Sequence, residues 1–319
     1  MLQLDAAALA ARLDRRSLIE ALDAAFRKPC SVPTRQQYQL EPAQPGGSGG
    51  TLLVMPAWRT GDALGIKLVT VFPDNALRGL PAVSASYLLL DAATGQPRAI
   101  LDGAELTLRR TGAASALASR ALSSPDAARL TMVGTGRLAP HLIESHAAVR
   151  PIREVRIWGR RADRARALAA SLASTELSVE GTDDLEAAVR WADIISCATL
   201  SRQPLVRGAW LKAGQHVDLV GAFTPEMREA DDETIARAEL CVDTRAGALE
   251  ESGEIIGAIA RGVIDRNGIG AELSELASGR FKRSRPEAIT VFKSVGCALE
   301  DLAAAQLALA QCNPASLVR

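Results

Sequence analysis

Histidine and clustered cysteine are scarce in this 319-residue chain: three histidines are present, and the five cysteines (Cys30, Cys197, Cys241, Cys297, Cys312) form no CxxC pair. No Cys/His group has metal-ligand spacing, so no metal centre is expected. An odd, scattered set of thiols also argues against a disulfide framework and suits a reducing compartment. Charge of one sign is missing too. The 37 basic and 37 acidic residues cancel, so nothing marks the chain as a binder of nucleic acid or of an anionic membrane. No apolar run approaches the roughly 18 residues of a membrane span. The opening Met1-Leu2-Gln3-Leu4-Asp5 lacks the apolar core of a secretion signal. A cytoplasmic protein acting on a small, compact substrate is expected.

What is present suits an α/β protein of two domains. Apolar residues make up 48% of the sequence, and the length exceeds one ordinary hydrophobic core. From residue 129 onward short β-rich runs alternate with alanine-rich helical stretches, the trace of βαβ units and a parallel sheet. Strands are expected at residues 130–133, 154–158, 177–180, 194–198, 216–221 and 240–243, with helices at 138–149 and 162–173. The N-terminal part reads differently. A helix over 14–26 precedes the polar stretch Pro45-Gly46-Gly47-Ser48-Gly49-Gly50, a hairpin tip or loop. β-type runs follow at 65–72 and 82–91, and a helix over 106–122 stops near Ser124-Pro125. Residues 297–311 make a further alanine- and leucine-rich helix.

Val133-Gly134-Thr135-Gly136-Arg137-Leu138-Ala139 follows an apolar strand directly and opens a helix. That context is what a dinucleotide requires: a first glycine for the tight turn, a second for close approach of backbone to pyrophosphate, and a small third residue for helix–strand packing. An NAD site normally carries Asp or Glu about 20 residues further on, to accept from the ribose 2′-hydroxyl. Trp158-Gly159-Arg160-Arg161 stands there instead. Arg160 and Arg161 are suited to a 2′-phosphate, so NADP(H) is the preferred cofactor and NAD(H) the alternative. His141, His146 and His216 fit no ligand or nucleophile pattern and are read as structural. Glu226, Arg228 and Glu229 are read as capping or bridging a helix after Pro225.

Further segments are distinctive together: Gly65-Ile66-Lys67-Leu68-Val69-Thr70-Val71-Phe72-Pro73, Leu106-Thr107-Leu108-Arg109-Arg110-Thr111-Gly112, Val220-Gly221-Ala222-Phe223-Thr224-Pro225-Glu226 and Thr290-Val291-Phe292-Lys293-Ser294-Val295-Gly296. With the glycine loop they resemble the ornithine cyclodeaminase and mu-crystallin family over nearly the whole chain. The resemblance implies a Rossmann NAD(P)-binding domain, residues 126–296, inserted in a discontinuous α+β substrate-binding and dimerisation domain. That second domain comprises residues 1–125 and the C-terminal helix, 297–319. It also implies a homodimer with sheets joined across a two-fold axis. Family members move hydride between nicotinamide and the α-carbon of an amino or imino acid. Matched residue by residue, Lys67 is the catalytic lysine, and Arg35 and Arg110 clamp the substrate carboxylate. Thr111, Cys197, Thr199, Val220, Gly221 and Lys293 join Gly134, Thr135, Gly136, Arg137, Leu138, Arg160 and Arg161 in the cofactor site.

One position departs from the cyclodeaminases. They carry an aspartate where this chain has Phe223, and phenylalanine neither accepts a proton nor holds an ammonium. Residues 221–229 instead resemble bacterial reductases of Δ1-pyrroline-2-carboxylate and Δ1-piperideine-2-carboxylate, with Phe223 packing on a cyclic imine and Thr224 donating nearby. The implied activity is NAD(P)H-dependent reduction of cyclic imino acids to proline or pipecolate. The alternatives are ornithine cyclodeamination, an alanine-dehydrogenase-like activity, and a mu-crystallin-like NADPH-binding protein.

Overall fold

A computed structural model describes residues 1–42 and 48–312. Residues 45–47 of the expected glycine-rich loop lie outside that range. The chain divides into two compact units. Met1–Arg110 and the terminal segment from Cys297 form the first, and Thr111–Gly296 the second.

The first unit opens with β1 (Leu2–Leu4), α1 (Ala6–Arg12) and α2 (Arg15–Phe26). Asp5 and Asp14 start the two helices by accepting from Ala8 N at 2.8 Å and Ser17 N at 3.0 Å, the usual satisfaction of orphan first-turn amides. β2 (Gln36–Leu40), β3 (Gly50–Arg59), β4 (Ala63–Val71), β5 (Val83–Asp91) and β6 (Pro97–Asp102) follow. They complete a six-stranded sheet in the order β1-β6-β5-β4-β3-β2, antiparallel except for the β1–β6 pair. Strand alternation sends Met55, Ala57, Ala63, Lys67, Tyr87 and Leu89 to one buried face.

α3 (Gly103–Leu122) then runs through the division between units. The boundary therefore falls inside a helix, at Arg110/Thr111, rather than at the expected 125/126. Gly112 stands just beyond it without interrupting the helix, so no local break marks the boundary.

In the second unit come β7 (Arg129–Val133), α4 (Leu138–Val149), β8 (Glu154–Trp158), α5 (Ala162–Leu172), β9 (Ser178–Thr182), α6 (Leu185–Trp191), β10 (Ile194–Cys197) and β11 (His216–Leu219). α7 (Asp232–Arg237), β12 (Ala238–Val242), α8 (Arg245–Glu251), α9 (Gly253–Ala260), β13 (Ala271–Glu272), α10 (Leu273–Ala277) and β14 (Ile289–Lys293) complete it. Eight strands pair in parallel as β13-β12-β14-β11-β10-β7-β8-β9. Every residue of β10, β11 and β14 is buried, as expected for strands covered on both faces. Strand order reverses between β7 and β10, the switch point at which such sheets bind ligands. The chain ends by returning to the first unit as α11 (Ala298–Ala310), laid across β3, β4 and β5 and beside α2.

Candidate active site

The glycine loop stands at the switch point. Gly134 N donates to Trp158 O at 2.8 Å and Ala198 N to Val133 O at 2.9 Å, tying together the ends of β7, β8 and β10. Gly134 has φ +128°, and a Cβ there would lie 2.5 Å from Ala198 O. Gly136 behaves oppositely: its Cβ would meet nothing within 4 Å. Beside that space Arg137, the N-cap of α4, makes no side-chain hydrogen bond to the first turn. Ala139 N already donates to Gly136 O at 3.0 Å and Pro140 has no N–H, so what the start of α4 offers an anion is chiefly its positive dipole end. Gly134, Thr135, Trp158, Gly159, Arg160 and Arg161 line a cavity of about 230 Å³ with residues 198–201. Arg164, not anticipated from sequence, lines it as well. These residues fit a dinucleotide: a gap that a Cβ would fill at Gly136, the positive end of a helix, and arginines at the far end.

A buried carboxylate braces this region. Glu229 accepts from Thr199 N at 2.6 Å, Thr199 Oγ1 at 2.8 Å, Gly221 N at 2.8 Å and Ala222 N at 3.3 Å. The loops after β10 and β11 are held so close that a Cβ on Gly221 would come 2.1 Å from Thr199 N. Burial pushes the Glu229 carboxyl pKa up, against the pull of Lys293. Of the capping or bridging expected of Glu226, Arg228 and Glu229, the reading of Glu229 is corrected, since it braces two loops, while Arg228 does bridge to the helix that follows. No helix begins until Asp232; Arg228 pairs with Asp232 at 2.5 Å, and Thr224 hydrogen-bonds Glu226.

Two expected cofactor contacts are also corrected. Lys293 is fully buried, its Nζ donating to Ala222 O at 2.5 Å and standing 3.3 Å from Glu254 Oε2, so its charge is consumed within the fold. Cys197 puts its side chain among Val133, Ile195 and Leu219 in the core, and burial raises its thiol pKa. Val220 and Thr111 are buried too. Phe223 is 44% exposed. His146 Nε2 lies 3.2 Å from Asp218 Oδ2, and His216 Nδ1 2.9 Å from Thr290 Oγ1; burial pushes His216 down to about 3, keeping it neutral.

In the first unit, strand register places Lys67 opposite Met55 and Tyr87 on the face that α11 covers. Its Nζ lies 2.8 Å from Asp301 Oδ2 and donates to Asp301 Oδ1 at 3.0 Å and Thr107 Oγ1 at 3.3 Å. Arg110 Nε donates to the same Oδ1 at 3.1 Å, and Arg110 Nη1 to Glu300 Oε2 at 2.5 Å. Arg35, half-buried just before β2, is near enough for its charge to act on Lys67. Burial is the main influence on Lys67. Opposed by Asp301 and aided by Arg110 and Arg35, it brings the ammonium down to about 8. Burial also works against Arg110, but Asp301 and Glu300 outweigh it and hold that guanidinium above its usual pKa. Three cations face two carboxylates, a surplus of one positive charge suited to a carboxylate anion. The three expected basic residues are brought together; Glu300 and Asp301 were unforeseen.

A parallel sheet with a glycine loop at its switch point, and a separate unit holding a buried lysine between arginines, define a nicotinamide-dinucleotide-dependent oxidoreductase. The sequence model of the ornithine cyclodeaminase/mu-crystallin family matches residues 3–313, and the chain belongs to that family. Protein SAR DEFICIENT 4 of Arabidopsis thaliana is 45% identical over 284 residues, 86% of this chain and 85% of its own. The Δ1-pyrroline-2-carboxylate reductase of Paracoccus denitrificans is 40% identical over 293 residues, 91% of this chain and 90% of its own. Among solved structures, Δ1-pyrroline-2-carboxylate reductase of Thermococcus litoralis, in complex with NADH and L-proline, matches with TM-score 0.90 and 34% identity, covering 98% of this chain and 97% of that one.

Proposed function

We propose that this protein reduces cyclic imino acids, Δ1-pyrroline-2-carboxylate to proline and Δ1-piperideine-2-carboxylate to pipecolate. The observation that carries the reading is the buried Lys67 between Arg110 and Arg35, with its ammonium at about 8. The dinucleotide supplies hydride for the imine carbon when bound. Arg110 and Arg35 hold the carboxylate, and Lys67 gives a proton to the imine nitrogen, directly or through water, raising the electrophilicity of the carbon. Phe223, 44% exposed, cannot perform the proton chemistry of a cyclodeaminase aspartate. The names of the Paracoccus and Thermococcus proteins support the same reaction. Steady-state oxidation of NADPH by the two imino acids tests it against ammonia release from ornithine. Imine reduction is expected; ammonia release without it overturns the reading.

NADP(H) is the preferred cofactor in this reading. The Thermococcus structure holds NADH, which shares the pyrophosphate and nicotinamide but not the 2′-phosphate. Arg160, Arg161 and Arg164 line the cavity beside the glycine loop and supply the charge that a 2′-phosphate requires. The Arg161–Asp163 pair at 2.7 Å is exposed to solvent, so a phosphate dianion can displace the aspartate at little cost. Arg160→Ala is expected to raise KM for NADPH about tenfold, the value of one charged hydrogen bond, and to leave KM for NADH unchanged. Equal effects on both would remove Arg160 from the phosphate site.

The protein acts as a homodimer in this reading. Pro56, Leu64, Ile66, Leu68, Leu88 and Ile100 sit on the sheet face of the first unit turned away from α11, with Leu68 42% and Ile100 37% exposed. An apolar patch of this kind is uncommon on a monomer, and a two-fold axis covers it with its own copy. Ile66→Asp should convert a dimer to a monomer in light scattering; a wild-type monomer would defeat the assignment. The free cysteines and the lack, among the described residues, of any helix long and apolar enough to cross a membrane support a cytoplasmic location.

A further inference from the structure

We propose that Asp301, carried by α11, is the positioning residue of the Lys67 site, holding the ammonium and Arg110 Nε on one carboxylate so that Lys67 keeps its proton beside two guanidiniums. Its consequence for catalysis rests on the reductase reading; the contact itself does not.

The site shows why such a residue is needed. From β4 comes Lys67, from α3 Thr107 and Arg110, from the segment before β2 Arg35, and from α11 Glu300 and Asp301. Tyr87 on β5 has its phenol buried without a hydrogen-bond partner, and burial, with the nearby Asp301 carboxylate, pushes its pKa up. Cys297 Sγ lies 3.7 Å from Glu300 Oε1. Burial and both arginines favour neutral lysine, and Asp301 is the group that opposes them. The two neighbouring acids divide the work. Glu300 reaches Arg110 at Nη1 and accepts from Cys297 Sγ, whereas Asp301 holds both Lys67 and Arg110. Glu300 therefore tunes the carboxylate clamp, and Asp301 the proton donor. Asp301 is wholly buried, so it shapes the site through Lys67 rather than by meeting solvent.

The sign of the pH dependence follows. Reduction uses protonated Lys67, which loses its proton as pH rises through about 8, so kcat/KM should fall across that range. An opposite charge within about 4–6 Å sustains a pKa by roughly 1–3 pH units. In D301N the falling limb should therefore lie about one to three pH units lower, and in E300Q it should stay near 8 while KM for the imino acid rises. The chain has five lysines, so the ε-carbon resonances of ¹³C-lysine-labelled full-length protein report the same proton without any turnover, Lys67 being assigned by its loss in K67M. The Lys67 resonance is expected to titrate near 8 in wild type and one to three pH units lower in D301N. If D301N does not fold, D301E decides: with charge retained, the titration should stay near 8 while kcat falls from misplacement. A folded D301N titrating as wild type, or a D301E displaced to low pH, overturns the role of Asp301. A wild type that titrates as described but reduces no imino acid overturns the proposed reaction instead.

Discussion

Lys67→Met is expected to lower kcat for imine reduction by about 10²–10⁴-fold, the range attributable to a positioned proton donor, with the affinity for NADPH left near wild type. Methionine keeps most of the lysine's length and apolar stem while removing the ammonium and its transferable proton, so a large fall in kcat isolates that group. The glycine loop, Thr199 and the arginines of the second unit, where the dinucleotide is proposed to bind, contain no part of Lys67. Stability sets the control. Lys67 is one partner of a buried pair with Asp301 at 2.8 Å, and removing one member of such a pair costs about 3–5 kcal/mol when the other charge is stranded. Here Arg110 Nε stays on Asp301 at 3.1 Å, so the lower end applies and the variant should fold. Thermal unfolding and NADPH titration come first, then turnover. A folded variant with near-normal kcat at neutral pH would exclude Lys67 as the proton partner.

The glycine loop and the residues around Lys67 differ in how they show in sequence. Gly134 and Gly136 are visible alone, because a strand, a turn requiring positive φ and a helix follow one another within a few residues. The strands of βαβ type are visible for the same local reason, whereas β14, packed between β11 and β12, is not, since its five-residue run Ile289–Lys293 ends on a lysine and is too short to mark itself as a buried strand. Lys67, Arg35 and Arg110 are named only through family resemblance, because a lysine inside a β-strand carries no mark of its chemistry. Asp301 lies 234 residues from Lys67 and 191 from Arg110, and only the return of α11 to the first unit joins them. An Asp in an alanine-rich helix otherwise reads as a solvated face. Lys293 shows the converse error: a lysine inside a matched motif looks like a ligand until Glu254 and Ala222 O are seen to occupy it. Glu229 is similar, its four accepted hydrogen bonds coming from loops that sequence does not place together.

Gly134→Ala is expected to weaken NADPH binding by about tenfold to hundredfold and to destabilise the second unit, whereas Gly136→Ala should weaken binding without loss of stability. The two glycines stand two residues apart in one loop but meet different constraints. At Gly134 the backbone has φ +128°, a conformation costing a side-chain-bearing residue about 1–3 kcal/mol, and the added methyl would press to 2.5 Å against Ala198 O. That oxygen belongs to the chain leaving β10, so relief must come by parting β7 from β10 at the switch point, where the dinucleotide is proposed to lie. Each 1.4 kcal/mol is tenfold in affinity, which sets the expected range. At Gly136 the methyl meets nothing within 4 Å, so the apo fold has no reason to change. The space it takes is the approach to the start of α4, where the pyrophosphate is proposed to lie. Calorimetric titration with NADPH, paired with thermal unfolding in its absence, separates the cases. Unchanged binding in Gly136→Ala would show that the phosphates do not lie at this loop, and unchanged binding and stability in Gly134→Ala would show that the turn is less constrained than its geometry requires.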